Sequence, residues 1–202
     1  MNKKGKFIVF EGLDGSGKGT QIKKLKEYLE KKNIEVLTTC EHTRDLPVGK
    51  VIEAVLNKKE KMGNLALQLA FVSDRRDHYD KVIGLALEEG KFVISDRYYG
   101  STVAYTEDDK KQMMLELNEE VVPVADLTIF LDVSPESAIE RIDNGREDKT
   151  IFEKKKKLRQ CRNSYLWFCD HVGGEVAMIN GNREVETIHQ DIIKILGEKK
   201  II

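Results

Sequence analysis

The sequence predicts an α/β fold in which a five-stranded parallel sheet is sandwiched between helices. Short apolar runs alternate along the chain with longer segments whose apolar residues recur at helical spacing, as in sheets covered on both faces. The length of 202 residues favours one domain with a sizeable core, so we expect a single unit over 1–202. The predicted strands are Phe7–Phe10, Val36–Thr39, Phe92–Ser95, Leu127–Leu131 and Val176–Ile179.

The helices are predicted from apolar spacing and from start signals. After the first strand, Ile22, Leu25 and Leu29 lie at the spacing of one helical face. Further along, Ser134 is a capping residue and Pro135 occupies the first helical position. Together the predicted helices are Lys18–Lys32, Gly49–Asn57, Leu65–Glu89, Lys110–Val121, Pro135–Ile142, Ile151–Asp170 and Val185–Leu196.

Charge and hydropathy exclude several classes of protein. The formal net charge of −1 argues against a protein that coats nucleic acid, and we expect no nucleic-acid partner. No apolar run reaches the length of about eighteen residues that a membrane span needs, and the lysine-rich start leads into a strand, so we expect no membrane segment, no signal sequence and a cytosolic (cytoplasmic) protein. Cys40, Cys161 and Cys169 lack paired spacing and are expected to be reduced thiols.

A glycine-rich segment between the first strand and the first helix is the most informative part of the chain. Its glycines allow the backbone to curl so that successive N–H groups face an anion, and the helix N-terminus and Lys18 add positive charge. This order predicts a phosphate-binding loop that holds ATP; the alternative is a βα turn that binds nothing. The predicted ATP-binding residues of the loop are Gly12, Leu13, Asp14, Gly15, Ser16, Gly17, Lys18, Gly19 and Thr20.

The residue after Lys18 departs from the usual phosphate loop. That position is normally serine or threonine, whose hydroxyl ligates Mg²⁺, but here it is Gly19, and the hydroxyl comes one residue later on Thr20. We expect Thr20 to reach the metal directly or through a water. The string Gly17-Lys18-Gly19-Thr20-Gln21 is similar to that of adenylate kinases, which favours a small-molecule kinase.

Charged side chains also follow two other predicted strands. Ligands of parallel sheets bind at the carboxyl ends of the strands, so Arg44 after the second strand and Arg97 after the third are expected near the phosphate loop. Two convergent arginines indicate a second anionic substrate. Asp96 ends the third strand, where a carboxylate that orients magnesium is expected; the alternative is a local ion pair between Asp96 and Arg97.

This inventory of charges fits the transfer of a phosphoryl group to another phosphate. Because the acceptor is already an anion, no general base is needed, and catalysis reduces to alignment and charge neutralisation. No Ser-His-Asp or Cys-His arrangement indicates covalent catalysis. The sequence therefore predicts a nucleoside monophosphate kinase whose charged site residues are drawn from Lys18, Arg44, Asp96, Arg97, Arg141, Arg146 and Lys149.

A short polar segment, about 143–150, lies between two predicted helices and is rich in charge. It suits a mobile lid that closes over ATP and supplies Arg146 on closure. A plain solvated loop is the alternative interpretation.

Four groups of residues, each occurring once, follow one another along nearly the whole chain. They are Phe10-Glu11-Gly12-Leu13-Asp14, then Leu69-Ala70-Phe71-Val72-Ser73-Asp74-Arg75, then Asp96-Arg97-Tyr98 with Ser101, Ala104 and Tyr105, and finally Leu131-Asp132-Val133-Ser134-Pro135-Glu136 with Arg141. In these groups the chain resembles the thymidylate kinase family. The resemblance implies a P-loop NTPase fold with a short lid, an enzyme that phosphorylates dTMP to dTDP with ATP and Mg²⁺ in dTTP biosynthesis, and a homodimer packed through long helices.

The resemblance also implies roles for individual residues. Phe71 would stack on thymine and Arg75 would donate to a base carbonyl; without the resemblance they would be interpreted as a core phenylalanine and a surface arginine. The other dTMP contacts would be Arg44 and Arg97 at the phosphate, Asp14 at the 3′-hydroxyl, Ser101 near the base and Tyr105 against the ribose 2′ position. Arg141, Asn182 and Arg183 would approach ATP, and the catalytic residues would be Lys18, Asp96, Arg97, Arg141 and Arg146.

The chain departs from the family pattern at several positions. Some members carry an arginine at the position of Gly15, whereas others place arginines in the lid, and Gly15 puts this chain with the second kind. Many members have Thr-Arg-Glu-Pro-Gly-Gly where Thr43–Pro47 stands here. The alternatives are a kinase for AMP, UMP, CMP or several deoxynucleotides, and a P-loop switch NTPase, for which no Asn-Lys-x-Asp guanine-reading string is present.

Overall fold

The computed structural model describes residues 5–143 and 150–202. The strands are β1 (Lys6–Glu11), β2 (Val36–Cys40), β3 (Phe92–Asp96), β4 (Leu127–Asp132) and β5 (Val176–Asn180). They form one sheet in the order β2-β3-β1-β4-β5, and every neighbouring pair is parallel. The predicted five-stranded parallel sheet is confirmed.

Helices flank this sheet and connect its strands. The helices of the described residues are α1 (Lys18–Glu30), α2 (Pro47–Leu56), α3 (Asn64–His78), α4 (Gly84–Glu88), α5 (Tyr99–Tyr105), α6 (Lys111–Val121), α7 (Pro135–Asp143), α8 (Thr150–His171) and α9 (Val185–Glu198). In this part of the chain no helix has the length and apolar character that crossing a membrane requires.

The core lies on both faces of the sheet, as the apolar strands predict. Along β1, Phe7 and Val9 belong to one buried cluster, which they share with side chains of α3, α4, α6 and α8. Ile8 and Phe10 belong to the other, which is shared with α1 and α9. Successive side chains of a strand point to opposite faces, so this continuous apolar run requires helices on both sides.

The strand order decides which loops meet. β1 lies between β3 and β4, with Phe10 opposite Asp96 and Glu11 opposite Phe130. The segments that follow β1 and β3 therefore leave the sheet side by side at its carboxyl edge. This is the edge where the sequence places the phosphate loop and the Asp96-Arg97 motif.

One helical prediction was wrong in detail, and one helix was missed. The helix expected over Leu65–Glu89 is α3 followed by a π-helical turn, Tyr79–Ile83, and then α4. The helix α5 was not predicted at all. The proposed lid begins at the last residue of α7 and ends at the first residue of α8, and residues 144–149, with Arg146 and Lys149, lie outside the described residues.

Candidate active site

The loop between β1 and α1 is shaped by three glycines with positive φ. Gly12, Gly15 and Gly17 have φ of 147°, 78° and 94°, a region that other residues rarely adopt. At Gly12 a Cβ would also lie 2.8 Å from the carbonyl oxygen of Leu131 and 2.8 Å from Ser16 Oγ. Only glycine fits this path, which brings the N-terminus of α1 to the carboxyl edge of the sheet, where it can face an anion.

Lys18 starts α1 and turns back over the loop. It is 6% exposed, and its Nζ donates to the carbonyl oxygens of Gly12 and Leu13, each at 3.1 Å. Burial and then the charge of Arg97 lower the pKa of Lys18 to about 8. An ammonium group has three donors, so one N–H is left for a phosphate above the loop.

Asp96 and Thr20 are the two predicted metal ligands. Asp96 ends β3 beside β1, and its buried Oδ1 has no hydrogen-bond partner among the described residues. A buried carboxylate oxygen without a partner is costly. This atom is therefore suited to bind a cation, or a water that is bound to one. Thr20 is exposed in the first turn of α1. Carboxylate and hydroxyl oxygens are donors that Mg²⁺ accepts.

Arg141 on α7 joins two loops on the nucleotide side. Its guanidinium donates to the carbonyl oxygen of Gly15 at 3.2 Å and to that of Gly181 at 2.9 Å. It thereby ties the phosphate loop to the loop that follows β5. Asn182 and Arg183 come next in that loop and are exposed. The three residues predicted to approach ATP from this side therefore lie together.

A cavity of about 560 Å³ opens beside the phosphate loop. We call it the acceptor cavity. Arg44, which was predicted to hold the dTMP phosphate, is exposed in the β2–α2 loop and is not among the residues that line the cavity. The other six predicted dTMP contacts all line it: Asp14, Phe71, Arg75, Arg97, Ser101 and Tyr105.

Arg97 stands in the wall that the acceptor cavity shares with the phosphate loop. Its φ of 73° is unusual for a residue with a side chain, and its N–H donates to the carbonyl oxygen of Phe10 at 2.9 Å. Nη1 donates to Ser101 Oγ at 2.9 Å and to the Tyr165 hydroxyl at 2.8 Å, and Nη2 donates to Asp14 Oδ1 at 2.5 Å. The guanidinium is therefore held between the phosphate loop, α5 and α8.

Arg75 lies on the α3 wall of the cavity, one helical turn after the half-buried Phe71. It is 1% exposed, so the alternative of a surface arginine is wrong. Its Nε donates to Glu41 Oε2 at 2.7 Å and its Nη2 to Thr102 Oγ1 at 3.0 Å. Glu41 Oε1 in turn lies 3.4 Å from Nδ1 of the buried His78. These contacts fix the guanidinium at the cavity wall.

The β2–α2 loop, which carries Arg44, is anchored to α3. The N–H and the hydroxyl of Thr43 both donate to the carboxylate of the buried Asp74. Gly49 packs so closely that a Cβ there would lie 1.9 Å from the carbonyl oxygen of Thr43. The loop thus has a defined path although its sequence departs from the family pattern.

Sequence reasoning missed several residues of this site. Glu11 and Tyr165 are completely buried beside Arg97, and Gln68 lines the acceptor cavity at 4% exposure. Glu11 did carry a signal, since an acidic residue directly after an apolar strand needs partners when it is buried. Tyr165 carried none, because its helical spacing matches that of any core aromatic residue.

Comparison with known proteins agrees with this geometry. The family model described as thymidylate kinase matches residues 10–192. The chain belongs to the thymidylate kinase family. A protein of Thermococcus gammatolerans named probable thymidylate kinase is 37% identical over 206 residues, covering 96% of this chain and 97% of the relative. The thymidylate kinase of Plasmodium falciparum is 35% identical, covering 98% and 93%, and that of Akkermansia muciniphila is 38% identical, covering 81% and 79%.

Membership of the thymidylate kinase family confirms the predicted class of enzyme, a nucleoside monophosphate kinase. It favours this family over the adenylate kinase likeness of the phosphate loop and over a switch NTPase. The family supplies the substrate class.

Proposed function

We propose that this chain transfers the γ-phosphoryl group of ATP to dTMP where the phosphate loop meets the acceptor cavity. One observation carries the proposal: six predicted dTMP contacts line a single cavity, and one of them, Asp14, belongs to the phosphate loop. Two cationic sites at neighbouring strand ends can hold a donor and an acceptor phosphate in line. Asp14 would meet the acceptor's 3′-hydroxyl from the loop itself.

The nucleoside of dTMP would occupy the part of the cavity that α3 and α5 line. Phe71 offers an aromatic face for stacking on the thymine ring. Arg75 can only donate hydrogen bonds, so it would read a carbonyl oxygen of the base. Tyr105 and Ser101 line the same cavity, and we assign Tyr105 to the ribose and Ser101 to the neighbourhood of the base.

The phosphates would lie over Lys18 on the donor side and beside Arg97 on the acceptor side. Charge neutralisation by these two groups would stabilise the transferring phosphoryl group. Arg44, from the anchored β2–α2 loop, is proposed as a further cation for the acceptor phosphate. Arg146, outside the described residues, is proposed to reach the phosphates from the lid at about 143–150.

Mg²⁺ is the proposed cofactor. When bound, it neutralises phosphate charge and orients the phosphates for transfer. Asp96 would hold it through the Oδ1 that is buried without a partner, and Thr20 would contribute its exposed hydroxyl in place of the one that Gly19 lacks.

Turnover of a panel of nucleoside monophosphates with ATP and Mg²⁺ tests this proposal. We expect dTMP to be phosphorylated with the highest kcat/KM, because Phe71 and Arg75 suit a pyrimidine with a carbonyl at the reading position. A higher kcat/KM for AMP than for dTMP would contradict it. Arg75→Lys, which keeps the charge but not the planar fork, should narrow the preference for dTMP.

We also propose that two copies pack through α2 and α3. Val51 on α2 and Leu69 on α3 are 47% and 43% exposed although both are large and apolar. Leu69 lines a shallow groove together with Pro47, Val48, Val72 and Val121. Exposed apolar surface of this kind is typical of protein interfaces.

The single unit over 1–202 and the cytosolic location stay predictions.

Light scattering of the purified chain tests the homodimer. Leu69→Glu should convert a dimer to a monomer, because it places a charge in the apolar contact. Leu85→Glu is the matched control, since Leu85 on α4 is 52% exposed and lies outside the groove. A wild-type mass equal to that of one chain would contradict the proposal.

A further inference from the structure

Glu11 is a charged residue with no contact to solvent. It ends β1, is 0% exposed, and accepts four hydrogen bonds. Oε1 accepts the backbone N–H groups of Tyr98 at 2.8 Å and Ser101 at 3.0 Å. Oε2 accepts the hydroxyls of Ser101 at 2.7 Å and Tyr165 at 3.1 Å. A buried carboxylate is tolerated only when its acceptor sites are filled, and here four donors fill them.

The same two hydroxyls accept from Arg97. Its Nη1 donates one hydrogen to Ser101 Oγ and the other to the Tyr165 hydroxyl. Each hydroxyl in turn donates a hydrogen bond to Oε2 of Glu11. The two hydroxyl oxygens also lie 2.8 Å from each other. Arg97 and Glu11 thus form an ion pair that is bridged by two hydroxyl groups, and each bridge accepts from the cation and donates to the anion.

This arrangement fixes which edge of the guanidinium faces the acceptor cavity. Both hydrogens of Nη1 are donated to the two bridging hydroxyls, whereas Nη2 donates to Asp14, which lines the cavity. A guanidinium has five N–H donors, so three stay on the side of Nη2 and Nε. One of these three contacts Asp14 and two have no partner among the described residues. A phosphate takes two parallel N–H donors of an arginine.

We propose that Tyr165, backed by Glu11, is a positioning residue that sets the orientation of Arg97 for the acceptor phosphate. The inference rests on the proposed role of Arg97 in holding that phosphate. Among the described residues the guanidinium has contacts from three elements: Ser101 of α5, which follows Arg97 directly, Asp14 of the phosphate loop, and Tyr165 of α8. Tyr165 is thus the contact that ties Arg97 to α8. Its ring is 0% exposed and stacks on Phe130 at 5.3 Å, which leaves the hydroxyl little freedom.

Tyr165→Phe tests the proposal, since it removes one bridging hydroxyl and keeps the ring. Without it, one Nη1 hydrogen loses its acceptor and the guanidinium can turn toward Asp14. We expect the affinity for dTMP, measured by calorimetry without ATP, to fall about tenfold or more, as for loss of a hydrogen bond to a charged group. The KM for ATP should change less than about twofold, because the hydroxyl touches no part of the phosphate loop.

Tyr99→Phe is the matched control. It removes a hydroxyl from an equally buried ring, 3% exposed, that packs edge-on against Phe168 at 5.7 Å. We expect it to leave dTMP affinity unchanged. Glu11→Gln is a second variant. Its amide N–H would donate where a carboxylate oxygen accepts, so a bridging hydroxyl could no longer donate there. It should weaken dTMP binding, as Tyr165→Phe does.

A double-mutant cycle separates positioning from general packing. If Tyr165 acts through Arg97, Tyr165→Phe should change dTMP affinity less than about twofold in an Arg97→Lys background, since lysine lacks the fork that the hydroxyl orients. An undiminished effect in that background would overturn the proposal, and so would equal losses for ATP and dTMP. Normal dTMP affinity of Arg97→Lys would overturn the role of Arg97 itself, and the positioning role with it.

Discussion

Arg75 and Glu41 form a buried ion pair in the wall of the acceptor cavity, with Arg75 Nε 2.7 Å from Glu41 Oε2 and side chains 1% and 2% exposed. The pair joins α3 to the segment that follows β2. Removing one partner of such a pair leaves the other charge buried without compensation, which costs far more than the loss of an exposed pair. The arginine proposed to read the base therefore also secures the fold around it.

Arg75→Ala should lower the free energy of unfolding by about 3–5 kcal/mol, the range for a broken buried pair. Its neighbour Arg76 provides the control, because its side chain is 45% exposed and pairs with Asp80 one turn along. Arg76→Ala should cost less than about 1 kcal/mol. Urea unfolding followed by circular dichroism measures both, and similar losses for the two variants would contradict the interpretation of Arg75.

Phe71→Ala should raise the KM for dTMP and leave the KM for ATP unchanged. Stacking of a base on an aromatic ring is worth about 1–3 kcal/mol, which corresponds to an increase in KM of roughly fivefold to 150-fold. Steady-state kinetics with each substrate varied in turn distinguishes the two constants. Equal increases for both substrates would mean that Phe71 is simply part of the core.

The lowered pKa of Lys18 predicts a pH dependence of nucleotide binding. Without nucleotide the ammonium loses its proton above about pH 8, whereas a bound phosphate requires the charged form. Affinity for ATP should therefore be level below that pH and fall above it by up to about tenfold per pH unit, because binding must then take up a proton. Calorimetry from about pH 7 to about pH 9.5 measures this.

Lys18→Ala is the reference for that experiment. It should bind ATP weakly at every pH, without a change of slope near pH 8, and should retain less than about a tenth of kcat because a charge on the transferring group is lost. A change of slope that persists in Lys18→Ala would show that another group titrates.

Gly15→Ala should destabilise the phosphate loop. Gly15 has φ of 78°, and a Cβ there would lie 2.6 Å from the carbonyl oxygen of Ala138. We expect a loss of more than about 1 kcal/mol in the free energy of unfolding. Gly19→Ala is the matched substitution for stability, since a Cβ at Gly19 meets no atom within 4 Å. Thermal unfolding that shifts equally for both would contradict the strain at Gly15.

Much of this fold could be predicted because its strands are simple apolar runs. The helix α5 could not, since its seven residues are short for a periodic pattern and mix aromatic and β-branched types. What holds α5 is tertiary: Glu11 accepts two N–H groups at its start, and Gly100 lets it approach until a Cβ would lie 2.8 Å from the ring of Phe168.

The site residues divide in the same way, into those that a local sequence pattern predicts and those that only the tertiary fold brings in. Asp96 and Arg97 were predictable because they lie at the end of β3, and Lys18 because it follows the glycine-rich loop after β1. The sheet brings these two strand ends together. The partners of these residues were not, since Tyr165 lies 154 positions from Glu11 in the sequence and no local pattern connects them. The roles of the lid residues stay predictions.

The π turn at Tyr79–Ile83 has a consequence for how the chain tolerates change. A π turn holds one residue more than an α turn, and one residue is about 100° of rotation. Before it, the buried Gln68 and Arg75 line the acceptor cavity; after it, Ala86 and Leu87 belong to the core. Because the wider turn takes up the extra residue, deleting one residue here would restore a plain α-helix and keep the first set in phase with the second. This segment can therefore lose one residue while the cavity wall and the core contacts keep their faces.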